Sequence, residues 1–175
     1  MQGHAVFLVG FMGAGKTTFG KKLSNLLGYT FTDLDAQTCA ACKFETVKAL
    51  VEERGIAFFR EAERDTLRNL NLDRVVVATG GGAPCFFDNM AWMKQNGTVV
   101  YLSVNEGVLY SRLSTTNLEE RPLLKGLNET GLKNYIHQTL QERLPFYGQA
   151  HIVFSPVDGK PETLVQQLKA AWASL

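Results

Sequence analysis

The chain has 175 residues, of which 45% are hydrophobic and 20% charged, and its formal net charge is +1 at pH 7. That composition suits one soluble domain over residues 1–175 with a real core, and it lacks the basic footprint of a nucleic-acid binder. No apolar stretch approaches the ~18 residues of a membrane span, and the N-terminus has no signal-peptide pattern, so a cytoplasmic protein without nucleic-acid or membrane partners is expected.

A short apolar run at residues 4–10 predicts the first strand. It leads into Gly10-Phe11-Met12-Gly13-Ala14-Gly15-Lys16-Thr17, which fits G-x-x-x-x-G-K-[ST] at every position, and then into a helical pattern over residues 16–27. Strand before and helix after is the setting this phosphate-binding loop requires. Its glycines let the backbone wrap so that N–H groups point at phosphate oxygens, and the helix N-terminus adds partial positive charge. Lys16 can reach the β- and γ-phosphates, and the Thr17 hydroxyl can ligate Mg²⁺. The motif says nucleoside triphosphate with magnesium. It does not say what accepts the phosphoryl group.

A second strand is predicted at residues 30–33, followed by Asp33-Leu34-Asp35. Ligands of parallel sheets bind at the carboxyl ends of strands. If the first two βα units are neighbours, both carboxylates stand beside the phosphate loop. One can support Mg²⁺ through its water shell, and the other can orient an attacking hydroxyl or take its proton. The rival reading for Asp35 is a helix cap. Cys39 and Cys42 form a C-x-x-C pair, but the chain has only three cysteines and no second pair, so both are read as small residues on a helix.

Residues 44–70 have helical spacing and are predicted as two helices broken near Gly55. Within them, "RGIAFFREAER" places Arg60 and Glu63 at i,i+3, a pairing that is most often a solvated surface pair. A third strand at residues 74–79 stops at Gly80, Gly81 and Gly82. Three consecutive glycines indicate that something approaches the backbone closely.

Further elements follow as a helix at residues 88–95, a strand at 98–102 and a helix at 106–113. The polar stretch 115–130 contains Pro122 and Gly126 and is long for a loop, as lids are. An Arg before Pro in such a loop, Arg121, can close over a transferring phosphate. A helix at 131–144 carries Arg143 and is expected to stop at Pro145, before a strand at 151–154 and a final helix at 162–172. This βα alternation predicts an α/β fold with a parallel sheet between two layers of helices.

Taken in series, "GFMGAGKTT", "TDLD", "FFREAE", "ATGGG", "RPLL" and "RLPFY" resemble shikimate kinase in order and spacing across nearly the whole chain. The resemblance implies a three-layer P-loop kinase fold with a five-stranded parallel sheet, a helical substrate-binding segment near 34–63 and a mobile lid near 113–128. It implies a monomer that transfers phosphate from ATP, with Mg²⁺, to the 3-hydroxyl of shikimate on the route to aromatic amino acids.

By position, Gly13, Ala14, Gly15, Lys16, Thr17 and Thr18 would bind ATP, with Arg112 and Pro161 nearest to the family's adenine contacts. Thr17 and Asp33 would serve the metal. Asp35, Arg60, Gly81, Gly82 and Arg143 would bind shikimate, the two arginines clamping its carboxylate. Lys16, Asp35 and Arg121 would be catalytic, with Asp35 the candidate base. Met12, Val51, Phe59 and Pro122 would form apolar walls. The resemblance departs at Ile56, where many members carry a Glu that supports the neighbouring arginines.

The chemistry agrees, because a guanidinium fork pairs bidentately with a carboxylate and an acidic side chain accepts from hydroxyls. Alternatives are another P-loop small-molecule kinase, acting on gluconate or a nucleotide, or a non-catalytic module that holds the same ligands.

Overall fold

The structure is a computed structural model that describes residues 4–116 and 123–173. Five strands, β1 (Ala5–Val9), β2 (Thr30–Asp33), β3 (Val75–Ala78), β4 (Gly97–Leu102) and β5 (Ile152–Phe154), form a parallel sheet in the order β2-β3-β1-β4-β5. Seven helices are described: α1 (Lys16–Leu27), α2 (Leu34–Cys42), α3 (Val47–Arg68), α4 (Asn89–Asn96), α5 (Glu106–Ser114), α6 (Glu129–Tyr147) and α7 (Pro161–Trp172).

Side chains alternate across a strand, and two neighbours on β1 show the layering. Leu8 faces α1, where the bare Cα of Gly20 lets the helix settle on it. Phe7 points to the other face, with its ring 6.1 Å from Trp92 of α4. Helices therefore cover both faces, and β1, β3 and the apolar run of β4 are buried, as central parallel strands should be.

The predicted strands and most helices lie within a few residues of their expected bounds, and the break at Gly55 is present (φ 83°, ψ 162°). The condition that the first two βα units be neighbours is not met, because β3 lies between β1 and β2, and two expectations are corrected. Pro145 does not end α6, which continues to Tyr147. The Arg60–Glu63 pair is buried rather than solvated. Helix α2 carries no regular apolar stripe, and the expected placement of the two cysteines on a helix holds there. The C-x-x-C pair lies on it, with Cys39 buried, Cys42 half-buried and both thiols free.

Candidate active site

The turn between β1 and α1 is set by glycines in the left-handed region, Gly13 (φ 80°) and Gly15 (φ 94°). Helix α1 begins with no side-chain cap, which leaves its first N–H groups pointing into the loop. Lys16 is buried, and its Nζ donates to the carbonyls of Gly10 (2.7 Å) and Phe11 (2.9 Å), so the ammonium is folded over the cradle. The loop opens into a cleft of about 800 Å³ whose lining includes Gly13 through Thr18, Arg112 and Pro161. Arg112 reaches it from α5, donating from Nη1 to the Gly13 carbonyl at 2.9 Å. Both adenine candidates thus border the cleft that holds the phosphate loop.

Asp33 bridges two elements. Its Oδ1 accepts from the Ala36 N–H at 3.3 Å, capping α2, and its Oδ2 accepts from the Thr17 hydroxyl at 3.0 Å. Asp33 is therefore the cap, and Asp35 lies in the first turn of α2. Thr17 Oγ1 and Asp33 Oδ2 form a pair of hard oxygen donors at the cradle, which fits Mg²⁺; that ion commonly takes one or two protein ligands and completes its shell with phosphates and water. Among the described residues no cluster of three or more His, Cys, Asp or Glu could hold a metal by itself.

A second cleft, about 550 Å³, adjoins the first. Its lining includes Asp35, Arg60, Gly80, Gly81, Gly82 and Arg143, with Met12, Val51 and Phe59 among the apolar walls. Met12, Asp35, Gly80 and Gly81 line both clefts.

The glycine triplet explains how the two clefts come to touch. A Cβ on Gly80 would lie 2.6 Å from Asp35 Oδ1 and 2.7 Å from Glu63 Oε1. On Gly82 it would lie 2.5 Å from Arg60 Nη2, and on Gly81 3.2 Å from both Arg143 Nη1 and the Met12 N. None of the three has a positive φ, so it is space, not backbone conformation, that demands glycine here. Strand β3, inserted between β1 and β2, ends in residues that make room for site side chains arriving from both sides.

Arg60 and Glu63 pair at 2.7 Å, and Glu63 is fully buried. Burial pushes the Glu63 carboxyl up to about 7 from its ordinary 4.5; the charge of Arg60 pulls it down, while that of Asp35 pushes it further up. Arg60 Nε and Arg143 Nη1 are buried with no hydrogen-bond partner among the described residues. Two guanidiniums at one cleft with donors to spare suit a carboxylate ligand. Burial also pushes the Cys85 thiol up to about 11, which keeps it protonated and inert.

The sequence reading assigned no role to Tyr147, whose buried hydroxyl donates to the Gly81 carbonyl at 2.6 Å and fixes the triplet from α6. The signal was present in "RLPFY" but had no partner until the fold supplied one. Ile56, Thr116 and Leu123 also line the second cleft. Of the lid candidate 113–128, Arg121 and Pro122 lie outside the described residues, whereas Leu124 is buried in the core.

The family model for shikimate kinase matches residues 12–172. A curated shikimate kinase of Bacteroides fragilis is 44% identical over 169 residues, covering 94% of this chain and 93% of that protein. One from Parabacteroides distasonis is 46% identical over 150 residues, covering 85% and 86%. Among solved structures, shikimate kinase from Bacteroides thetaiotaomicron superposes with a TM-score of 0.82 at 39% identity, covering 97% of this chain and 98% of that one. Shikimate kinase from Acinetobacter baumannii, in complex with shikimate, gives 0.84 at 33% identity over 98% and 94%. With the motif series, the paired clefts and these likenesses in agreement, the chain belongs to the shikimate kinase family.

Proposed function

We propose that this chain transfers the γ-phosphoryl group of ATP to the 3-hydroxyl of shikimate, giving ADP and shikimate 3-phosphate. The observation that carries the reading is the wall shared by the two clefts. A phosphate cradle and a carboxylate-binding pocket meet at Asp35, Gly80 and Gly81, where a hydroxyl of the acceptor would face the terminal phosphate of the donor.

Phosphoryl transfer asks the protein for positioning and charge neutralisation. Arg60 and Arg143 hold the shikimate carboxylate at the far end of the pocket, which fixes where the ring's hydroxyls fall. Asp35 accepts a hydrogen bond from the reacting hydroxyl, orients it and stands ready for its proton. Gly81 and Gly82 offer backbone N–H groups along the ring. The cradle N–H groups of Gly13, Ala14 and Gly15, with Thr18, hold the phosphates, and Lys16 stabilises charge as the γ-phosphoryl group departs. Thr17 and Asp33 would hold Mg²⁺, which would supply charge neutralisation for the phosphates. Arg112 and Pro161 border the adenine, and the phosphate contact that the family resemblance gives Arg121 falls outside the described residues.

The domain reading is a single kinase unit over 1–175, with its substrate segment near 34–63 and its lid near 113–128. The reading takes a monomer as the active unit, and ATP as co-substrate supports a cytoplasmic setting. Among the described residues no helix is long and apolar enough to cross a membrane.

The test is ADP release by the purified protein with Mg²⁺ and ATP, with and without shikimate, using gluconate and a nucleoside monophosphate as controls. Strong stimulation by shikimate alone is expected. Stimulation by a control instead would overturn the acceptor assignment while leaving the phosphate cradle intact.

A further inference from the structure

The side of α3 beyond Gly55 carries arginines at i, i+4 and i+8: Arg60, Arg64 and Arg68. That spacing puts them in one row along the helix. Each has its guanidinium over an aromatic ring from the segment that follows the glycine triplet. Arg60 lies 4.5 Å from the centre of the Phe86 ring, Arg64 4.8 Å from Phe87 and Arg68 4.6 Å from Trp92. An ion pair, Arg68 to Asp88 at 2.6 Å, closes the far end.

The backbone is bent to make this row. Phe86 is extended (φ −114°, ψ 145°), and successive residues of an extended chain point to opposite sides. Phe87 takes φ 53°, a left-handed conformation that costs a bulky residue energy, and the turn it makes lets both rings face the same helix. Phe86 and Phe87 keep 40% and 54% of their surface exposed, so neither ring is placed by complete apolar burial.

Only the first rung touches the site. Arg60 lines the acceptor pocket, whereas Phe86 lines neither cleft. Glu63 holds one edge of the Arg60 guanidinium, and Gly82 gives it space. The Phe86 ring supports its face, with Phe59 a longer contact at 5.1 Å. A planar fork held at edge and face has its orientation fixed. The salt bridge by itself leaves rotation about that edge.

We propose that Phe86 is a positioning residue for substrate recognition: its ring, stacked on the Arg60 guanidinium, sets the plane in which that fork meets the carboxylate of the acceptor. This rests on the reading of Arg60 as one arm of the carboxylate clamp.

The test is steady-state kinetics of Phe86→Leu, Phe86→Tyr, Phe87→Leu, Arg60→Ala and the double variant Phe86→Leu/Arg60→Ala, with Tm recorded for each. Leucine keeps bulk and removes the ring face; tyrosine restores the face. Phe86→Leu is expected to raise KM for shikimate roughly fivefold, the size of one partly desolvated cation–π contact, while kcat and KM for ATP change less than twofold. Phe86→Tyr returns KM to the parent value. Phe87→Leu, one rung away, lowers Tm and leaves KM for shikimate unchanged. In the Arg60→Ala background, Phe86→Leu adds nothing.

A parent-like KM in Phe86→Leu, with Arg60→Ala raising it, overturns the proposal and spares the clamp. An equal rise in Phe87→Leu overturns it by showing a general loosening. An unchanged KM in Arg60→Ala removes the clamp reading, and the proposal falls with it. Should Phe86→Leu not fold, Phe86→Met carries the same comparison.

Discussion

The proposed phosphate cradle comes from one unbroken stretch, Gly10 to Thr18, and would work mainly through backbone N–H groups and a helix end. The acceptor pocket next to it gathers Asp35 from α2, Arg60 from α3, the triplet after β3 and Arg143 from α6. The first is a local object whose geometry follows from residue spacing. The second exists only once the sheet order is set. The difference teaches where each can be damaged: the cradle by one residue that carries charge, the pocket by any element that shifts an arm.

Replacing Lys16 with Ala attacks the cradle where charge stabilisation concentrates. Turnover should fall by about 10²-fold or more, with KM for shikimate little changed; single-turnover and steady-state rates together check this, and a kcat near that of the parent would refute the role.

Gly80→Ala tests the seam between the regions. The new methyl group would press on the Asp35 and Glu63 oxygens, so kcat/KM for shikimate should drop on the order of tenfold or more while nucleotide binding persists. Kinetics paired with a nucleotide titration reads both halves, and a loss of nucleotide binding alone would place the seam elsewhere.

Arg143→Ala removes one arm of the pocket. Its expected effect is a KM for shikimate raised by roughly tenfold with kcat nearly kept, the mark of lost uniform binding. An unchanged KM takes Arg143 out of the clamp.

The smallest expected effect sharpens the comparison through pH. The folded pKa of Glu63, about 7, lies above its ordinary 4.5. The folded state therefore binds the extra proton between those values. The resulting stabilisation is complete below the lower value and is lost as pH rises through the upper one. Glu63→Gln should remove this slope, so the Tm difference between variant and parent should climb across that window by roughly a few degrees and then level off. Parallel Tm curves for the two proteins would show that Glu63 does not titrate there.

Much of this was legible beforehand for a physical reason. The helix over Lys16–Leu27 and the phosphate loop depend on contacts between near neighbours, and spacing reports those. What spacing missed was tertiary. Arg60 and Glu63 look like a surface pair by sequence, and the tertiary approach of Gly80, Gly82 and the Phe86 ring covers them. Helix α6 runs past Pro145 because the proline falls in its last turns, where Gly148 N–H bonds to the Leu144 carbonyl and Tyr147 is anchored on Gly81. Asp33, at the end of β2, reaches Thr17 of α1 although β3 lies between β2 and β1, an outcome that depends on sheet order. Roles that fall at Arg121 and Pro122 lie outside the described residues.

The shared wall has a consequence for inhibitor design. Since Met12, Asp35, Gly80 and Gly81 belong to both clefts, a bisubstrate ligand would need only a short linker, passing over bare glycine backbone, to join a phosphate-mimicking tail to a carboxylate-bearing ring. On the proposed assignment, such a molecule would engage the cradle and both arginines at once, and the tether would make the second engagement intramolecular, raising its effective concentration. Substitutions that escape it at the seam would have to add atoms where Asp35 and Glu63 already stand.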